Sequence, residues 1–201
     1  MPKIIDLFAG AGGLSLGAAR AGFEVSAAVE LDTFALETHI NNFPKTTHIS
    51  EDVSELTAER LLLLAGLHPG ELDGIIGGPP CQGFSHMGKR QVDDTRNNLF
   101  GHFFRLVSET RPGFFLAENV PGILDEKYRA VLNSAFSQLA DDYVVLPPIK
   151  VQANLYGAPT TRTRIFFFGY DPKKINSTFA PEDFAPLDDV ELTVVKRALT
   201  G

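Results

Sequence analysis

Short runs of apolar and β-branched residues alternate along the chain with longer stretches of helical periodicity. The short runs are typical of buried strands, and the longer stretches are typical of amphipathic helices. Strands are predicted at 3–8, 24–30, 46–50, 72–76, 113–117, 143–151 and 164–169, and helices at 13–21, 33–42, 54–65, 97–110 and 125–139. This alternation predicts an α/β fold of repeated βα units around a mostly parallel sheet.

The length of 201 residues and the hydrophobic content of 44% are sufficient for one domain with a sizeable core. The formal net charge of −7 argues against a basic nucleic-acid surface over the whole chain, although it leaves a local one open. Cys81 is the single cysteine, and no signal peptide or membrane-spanning apolar run is visible, so a reducing cytoplasm is expected. Residues 171–189 are rich in Pro, Asp and Lys and indicate a linker, which is followed by a short apolar-periodic piece at 191–201.

A glycine-rich turn, "DLFAGAGGLSLG", joins the first predicted strand to the first predicted helix. Gly10, Gly12 and Gly13 would let the backbone approach a ligand closely and offer it the amides of a helix N-terminus. Ser15 follows, so the dinucleotide pattern G-x-G-x-x-G is not completed. The turn therefore either binds a nucleotide-like ligand or only allows tight strand-to-helix packing.

Two carboxylates follow the next two predicted strands. Glu30 stands where doubly wound folds place an acceptor for ribose hydroxyls, and Asp52 could accept a hydrogen bond from an exocyclic amine. Together with the glycine turn, they indicate an adenosine-shaped site. The alternative is that each carboxylate caps the helix that follows it.

The segment "GGPPCQGFS" follows the fourth predicted strand, at the edge where open α/β sheets bind ligands. Cys81 in this segment could be a nucleophile. A lone cysteine in an intracellular protein is more often a small buried hydrophobe, and the residues by themselves leave that alternative open.

This segment resembles the Pro-Cys motif of the cytosine-C5 DNA methyltransferases. The other motifs of that family follow in the same order here. The segments "DLFAGAGGLSLG", "VELD" and "EDV" resemble its first three motifs, and "DDTRNNLF" resembles the segment after the catalytic loop. The segment "ENVPGIL" resembles the Glu-Asn-Val motif, and "NLYGAPTTRTRIFFFG" resembles the Arg-x-Arg motif. The resemblance runs from about residue 3 to residue 169. It implies a doubly wound, mostly parallel sheet of the S-adenosylmethionine-dependent methyltransferase (Rossmann-like) type, with an antiparallel strand near the C-terminal end.

The resemblance also implies roles for individual residues. Cys81 would attack C6 of a flipped-out cytosine in double-stranded DNA, Glu118 would bond to N3 and the exocyclic amine, and Arg164, with Arg162 nearby, would hold the base carbonyl and orient Glu118. S-adenosylmethionine would be the methyl donor and S-adenosylhomocysteine the product, bound by Phe8, Gly10, Gly12, Glu30, Asp52, Pro79 and Leu99. The segment 83–96 would be a lid that closes over the flipped-out base, and substrate or lid roles fall on Gln82, Ser85, Lys89, Arg90, Arg96 and Asn119. No metal is expected.

The sequence departs from the family in two places. The Arg-x-Arg block usually begins Pro-Gln and carries a Glu between the arginines, whereas Pro159-Thr160-Thr161-Arg162-Thr163-Arg164 stands here. Family members also continue into a target-recognition region and a final Gly-Asn motif. We therefore expect a catalytic domain at 1–170, with 171–201 as a linker leading to a missing target-recognition region that belongs to a longer protein or to a second subunit.

The main prediction is thus an S-adenosylmethionine-dependent DNA methyltransferase of a restriction-modification system. Two alternatives remain: a tRNA cytosine-C5 methyltransferase of the same family, and a catalytically inactive regulatory relative. The serine in "CQGFS" and the following "MGKR" are more similar to the DNA enzymes. The presence of Cys81, Glu118 and Arg164 argues against the regulatory alternative.

Overall fold

The structure is a computed structural model that describes residues 1–80 and 98–186, except for the side chain of Asn98. Its sheet contains β1 (Lys3–Leu7), β2 (Glu24–Val29), β3 (Thr47–Ile49), β4 (Gly74–Gly77), β5 (Phe114–Asn119), β6 (Val144–Val145), β7 (Ile149–Gln152) and β8 (Thr163–Tyr170). The strand order is β3-β2-β1-β4-β5-β8, and β6 and β7 both pair with the outer edge of β8. The first five strands are parallel and β8 is antiparallel to its neighbours, which confirms the predicted fold class.

Helices cover both faces of the sheet: α1 (Gly13–Arg20), α2 (Thr33–Asn42), α3 (Ala58–Leu64), α4 (Asn98–Thr110) and α5 (Arg129–Phe136). Side chains alternate along a strand, so successive residues of β1 face opposite layers. Ile5 and Leu7 pack in the larger core with residues of α3, α4 and α5. Ile4 packs on the other face, where residues of α1 cover the sheet.

Three predicted elements differ from the structure. The strand predicted at 143–151 is two short strands, because Pro147 and Pro148 between them have no N–H to donate. The helix predicted at 54–65 begins at Ala58, where the Thr57 hydroxyl accepts the Arg60 N–H as an N-cap. The helix predicted at 125–139 is preceded by two 3₁₀ turns and covers only Arg129–Phe136. The predicted piece at 191–201 lies outside the described residues.

The described part of the predicted linker packs against β8. Phe179 and Phe184 contact the ring of Phe168, with centroids 5.2 and 5.1 Å away, and the Tyr156 hydroxyl donates to the Phe184 carbonyl. An open, mostly apolar groove of about 740 Å³ lies beside this segment, at the ends of β4 and β5 where those strands begin. The domain boundary at residue 170 stays a prediction. Of the helices in the described ranges, none is long and apolar enough to cross a membrane.

Phenylalanine rings dominate the core between the sheet and α4. The rings of Phe103 and Phe115 lie edge-on to Phe104, with centroids 5.3 Å away in both pairs, and all three side chains are fully buried. Edge-to-face contacts of this kind add to the hydrophobic gain from burial. Helix α4 is therefore fixed by aromatic packing against β5.

Replacing Phe104 by alanine should lower the free energy of unfolding by about 3–5 kcal/mol, because the surrounding rings cannot close the cavity. Chemical denaturation followed by circular dichroism would measure the change. Phe34 on α2 is 80% exposed and provides the control, since Phe34→Ala should change the same quantity by less than about 0.5 kcal/mol. Equal effects of the two substitutions would contradict this account of the core.

Candidate active site

The glycine turn that follows β1 has a left-handed backbone at three positions, with φ of 60° at Phe8, 56° at Gly10 and 99° at Gly12. A Cβ added to Gly12 would lie only 2.5 Å from Cε2 of Phe43. Both the backbone angle and the lack of space therefore require glycine at this position. Phe8 is not a glycine, so its left-handed conformation marks a locally constrained backbone at the end of β1.

Glu30 links the end of β2 to this turn. Its Oε2 accepts the Gly10 N–H and its Oε1 accepts the Asp32 N–H, each at 2.8 Å. The N-cap of α2 is Asp32, whose carboxylate accepts the Ala35 N–H, so the helix-cap alternative for Glu30 is wrong. Each carboxylate oxygen of Glu30 keeps a lone pair that a further donor, such as a ribose hydroxyl, can use.

Asp52 lies in the loop after β3, with its side chain exposed. Its carboxylate accepts the Ser54 N–H at 2.8 Å, and this hydrogen bond is the main cause of the lowered pKa of Asp52. Thr57 rather than Asp52 caps α3, so the second helix-cap alternative is also wrong. Arg105 of α4 fixes the loop by donating from Nη2 to the carbonyls of Val53 (3.1 Å) and Leu56 (2.8 Å).

The ends of the first three strands enclose a cavity of about 150 Å³. It brings together four of the residues predicted to bind the cofactor, and five that were not predicted. The predicted ones are Phe8, Glu30, Asp52 and Leu99, and the others are Val29, Leu31, Glu51, Val53 and Pro80. The apolar Leu31 and Val53 directly follow the two predicted carboxylates. Their positions next to Glu30 and Asp52 were the signal in the sequence that could have identified them as cavity residues.

A second cavity of about 400 Å³ adjoins the first, and Phe8 lines both. Glu118, Arg162 and Arg164 line this cavity. Nε of Arg164 lies 2.7 Å from Oε1 of Glu118, but its N–H does not point at that oxygen, so the contact is an ion pair without a well-formed hydrogen bond. Nη2 of Arg162 is 3.7 Å from the same oxygen, and the Arg162 side chain is 57% exposed against 20% for Arg164.

The register of β5 and β8 explains how these residues meet. Glu118 lies directly opposite Phe166, and Arg164 is two residues from Phe166 on the same face of β8. Diagonal neighbours on one face of an antiparallel pair are within reach of long side chains. The Glu118 carboxylate also lies against the end of β4, because a Cβ added to Gly78 would be 3.4 Å from its Oε2.

Asn119 connects the end of β5 to the segment that leads to Cys81. Its side chain is buried, donates from Nδ2 to the Pro79 carbonyl at 3.4 Å, and accepts the Val120 N–H at 2.8 Å. Pro79 is buried, and the adjacent Pro80 lines the smaller cavity. Six predicted site residues lie outside the described residues, and their roles stay predictions: Cys81, Gln82, Ser85, Lys89, Arg90 and Arg96.

A hydrogen-bonded chain of four side chains lies beneath the glycine turn. The Ser15 hydroxyl donates to Oδ2 of Asp6 at 2.6 Å and contacts Nε2 of His39 at 3.0 Å, and Nδ1 of His39 contacts Nε2 of His48 at 2.9 Å. Asp6, Ser15 and His39 are fully buried. The order differs from that of a nucleophilic triad, because the carboxylate bonds to the serine and not to the histidine.

Burial sets the protonation of this chain. It raises the pKa of Asp6 to about 7, against hydrogen bonds from Ser15 that lower it, and the nearby Glu30 carboxylate adds a smaller rise. Burial lowers the pKa of both His39 and His48, and their mutual proximity adds to the lowering at His39. Oδ1 of Asp6 has no hydrogen-bond partner within the described part of the chain, which is consistent with a carboxyl that retains its proton up to neutral pH.

The family description "C-5 cytosine-specific DNA methylase" matches residues 2–199 of the chain. The chain belongs to this family. Membership implies S-adenosylmethionine as the methyl donor, and the smaller cavity fits that group, because it offers carboxylate acceptors at two successive strand ends beside apolar walls.

Three related proteins place the chain within this family. It is 42% identical over 170 residues to the type II methyltransferase M.XorII of Xanthomonas oryzae, covering 84% of this chain and 40% of that enzyme. It is 35% identical over 192 residues to the type II methyltransferase M.AquIA of a Picosynechococcus species, covering 88% of this chain and 74% of that enzyme. A crystal structure from Escherichia coli, described as a prophage-encoded DNA modification methyltransferase, superposes with a TM-score of 0.88 at 53% identity, covering all of this chain and 55% of that one.

The raised pKa of Asp6 predicts how stability should depend on pH. Between the ordinary value of 3.8 and about 7, the folded protein keeps a proton on Asp6 that the unfolded chain releases. Asp6 therefore favours the folded state most at low pH, and this contribution is lost as the pH rises through 7. The free energy of unfolding of the wild type minus that of Asp6→Asn should fall by about 2 kcal/mol between about pH 5 and pH 7.

Urea unfolding of both proteins across this pH range would measure the difference. His39 and His48 act in the opposite direction, since their lowered pKa values make protonation of the unfolded chain destabilising below pH 6.5. That contribution is present in both proteins, and it largely cancels because an asparagine at position 6 keeps a polar partner for the Ser15 hydroxyl that contacts His39. A difference that stays constant with pH would show that Asp6 is ionised throughout.

Proposed function

We propose that this chain is the catalytic part of a DNA cytosine-C5 methyltransferase that belongs to a type II modification system in the cytoplasm. One observation carries the proposal: the cavity that contains Glu118 and Arg164 adjoins the cavity that contains Glu30 and Asp52, and Phe8 lines both. A site for a base and a site for a methyl donor are therefore immediate neighbours.

The proposed chemistry explains why these residue types are needed. C5 of cytosine is a weak nucleophile, and addition of the Cys81 thiolate at C6 would convert the ring into an enamine with a reactive C5. S-adenosylmethionine, when bound, supplies an electrophilic methyl group. After the C5 proton has been lost to a base, the thiolate is expelled and aromaticity returns. Cysteine suits this role better than serine because a thiol ionises near neutral pH in an electropositive site.

Glu118 would stabilise the base as it accepts electrons from the thiolate. A proton or strong hydrogen bond at N3 offsets the negative charge that develops on the ring. The two guanidinium groups beside Glu118 hold its carboxylate at the wall of the cavity. Arg164 also lines this cavity, so its guanidinium would donate a hydrogen bond to the carbonyl oxygen of the base.

Double-stranded DNA is the proposed substrate, and the cytosine must leave the stack to reach this cavity. The chain spans 40% of the Xanthomonas relative and 55% of the E. coli chain, which leaves room in such proteins for a region that selects the DNA sequence. The Picosynechococcus relative is correspondingly shorter, since this chain covers 74% of it. This chain has a net charge of −7, which is unfavourable for binding the negatively charged phosphates of DNA. We therefore propose that most contacts to DNA phosphates come from a further segment or a second subunit.

A chimaera tests this function directly. The matching part of the E. coli relative, which is 53% identical over the whole of this chain, would be replaced by residues 1–201. The chimaera should transfer a tritiated methyl group from S-adenosylmethionine to unmethylated DNA. Methylation of tRNA in place of DNA would contradict the proposed substrate, and absence of transfer by a folded chimaera that binds the cofactor would favour an inactive regulatory protein.

Within this chimaera, Cys81→Ser should abolish methyl transfer and the covalent complex with DNA that contains 5-fluorocytosine, while S-adenosylhomocysteine binding stays unchanged. Glu118→Gln should lower the rate about 10²–10⁴-fold, because the amide cannot donate the proton to N3. Radiolabel transfer and denaturing gels would measure both effects. Lys150→Gln, in β7 with an exposed side chain, is the control and should leave the rate unchanged. A strong loss of cofactor affinity in Cys81→Ser would instead indicate a structural cysteine.

The two arginines should differ in importance. Arg164 is mostly buried and lies 2.7 Å from the Glu118 carboxylate, whereas Arg162 is more exposed and lies 3.7 Å away. Arg164→Lys should therefore lower the rate at least about 10-fold more than Arg162→Lys, since lysine cannot reproduce the planar guanidinium contact. Single-turnover methylation by the chimaera would compare them. Equal losses would contradict the larger role assigned to Arg164.

A further inference from the structure

The buried chain Asp6–Ser15–His39–His48 joins the two ends of the glycine turn. Asp6 lies near the end of β1 and Ser15 lies in the first turn of α1, so the residues between them form the turn. The hydrogen bond between Oδ2 of Asp6 and Oγ of Ser15, at 2.6 Å, closes this loop at its base. The path of the turn therefore depends on that bond.

His39 supports the same turn from α2. A Cβ added to Gly12 would lie 3.1 Å from Cδ2 of His39, and the His39 ring lies 4.6 Å from the ring of Phe43 that also contacts Gly12. Hydrogen-bond contacts at both ring nitrogens fix the orientation of His39, to Ser15 on one side and His48 on the other. A rotated His39 would lose both contacts and change the side-chain surface that packs against Gly12.

The assignment of donors and acceptors along the chain shows that the four residues act as a unit. Ser15 has one hydroxyl proton, so when it donates to an ionised Asp6 it must accept from Nε2–H of His39, and Nδ1 of His39 then accepts from His48. When Asp6 is protonated, every bond reverses and each group still has a partner. Loss of one member removes a hydrogen-bond partner from its neighbours, which is costly because Asp6, Ser15 and His39 are buried.

The glycine turn also determines the shape of the smaller cavity. The Gly10 N–H donates to the Glu30 carboxylate at 2.8 Å, and Glu30 and Phe8 both line that cavity. A shift of the turn would therefore move an apolar wall and a proposed ribose acceptor together. None of the four members of the buried chain lines the cavity itself.

We propose that Asp6, Ser15, His39 and His48 form the positioning element of the cofactor-binding turn. They hold Phe8, Gly10 and Glu30 in the arrangement that binds S-adenosylmethionine and its product, and they do so without contacting either ligand. The proposal rests on the cofactor-binding role of the smaller cavity given above. It assigns a function to three buried polar residues that the methylation chemistry does not use.

Isothermal titration of the whole chain with S-adenosylhomocysteine tests the proposal. Ser15→Ala should weaken binding about 10-fold, because it breaks the chain at its centre. His39→Gln keeps a polar group toward Ser15 but loses the contact with His48, so it should retain part of the affinity that His39→Leu loses. His48→Leu removes only the outer end and should have the smallest effect of the series.

Tyr143→Phe is the matched control. The Tyr143 hydroxyl donates to the Pro112 carbonyl at 2.6 Å and is buried like Ser15, but it lies at the opposite end of β5 from Glu118. Its removal should lower the free energy of unfolding without changing the affinity for S-adenosylhomocysteine. Amide hydrogen exchange should accelerate at Gly10 and Gly12 in Ser15→Ala and not in Tyr143→Phe.

Three results would overturn the proposal: affinities within twofold of the wild type in both Ser15→Ala and His39→Leu, equal weakening by Tyr143→Phe, or no difference between His39→Gln and His39→Leu. Failure of the wild-type chain to bind S-adenosylhomocysteine is a different result. It would contradict the cofactor cavity itself and the proposed function, and with them the positioning role.

Discussion

Strand β1 pairs in parallel with β2 on one side and with β4 on the other, and the arrangement of the site depends on this placement. The chain leaves β1 toward β2 and returns later to β4, so the edge beyond β1 is the switch point of the sheet. The ends of β2 and β3 border the smaller cavity, and the ends of β4 and β5 border the larger one. Phe8 directly follows β1 and lines both cavities, which is why two different ligand sites share a wall.

A second constraint is the register of β8. Ile165 and Phe167 pack in the core beneath the sheet, while Arg164 and Phe166 line the larger cavity on the other face. A shift of one residue would exchange these faces, burying Arg164 in the core and removing it from Glu118. The aromatic core that fixes β8 therefore also fixes the polar site, since the same alternation determines both.

The sequence allowed the parallel strands and most helices to be predicted, because their apolar runs are distinct and bounded by turns. Pro147 and Pro148 in the sequence already argued against a single strand at 143–151, because proline has no N–H to donate. The proximity of Glu118 and Arg164 could not be derived from periodicity, because it depends on a strand register between distant segments, and only the resemblance to a family indicated it. His39 was the least predictable site residue, since one polar residue in a helix such as α2 gives no sign of burial.

Ser15 shows why an incomplete glycine pattern is weak evidence against a nucleotide site. In the dinucleotide-binding pattern, the third glycine allows the helix to pack closely on the strand. Here Ser15 follows the turn in α1, and its hydroxyl bonds to Asp6 of β1, so a hydrogen bond links α1 to β1 within the turn. The bond requires a buried carboxyl, and the free energy needed to bury it appears as the raised pKa of Asp6. Close contact between α1 and β1 is thus maintained by a polar pair, and that pair makes the turn sensitive to residues on α2 and β3 that a glycine could not have reached.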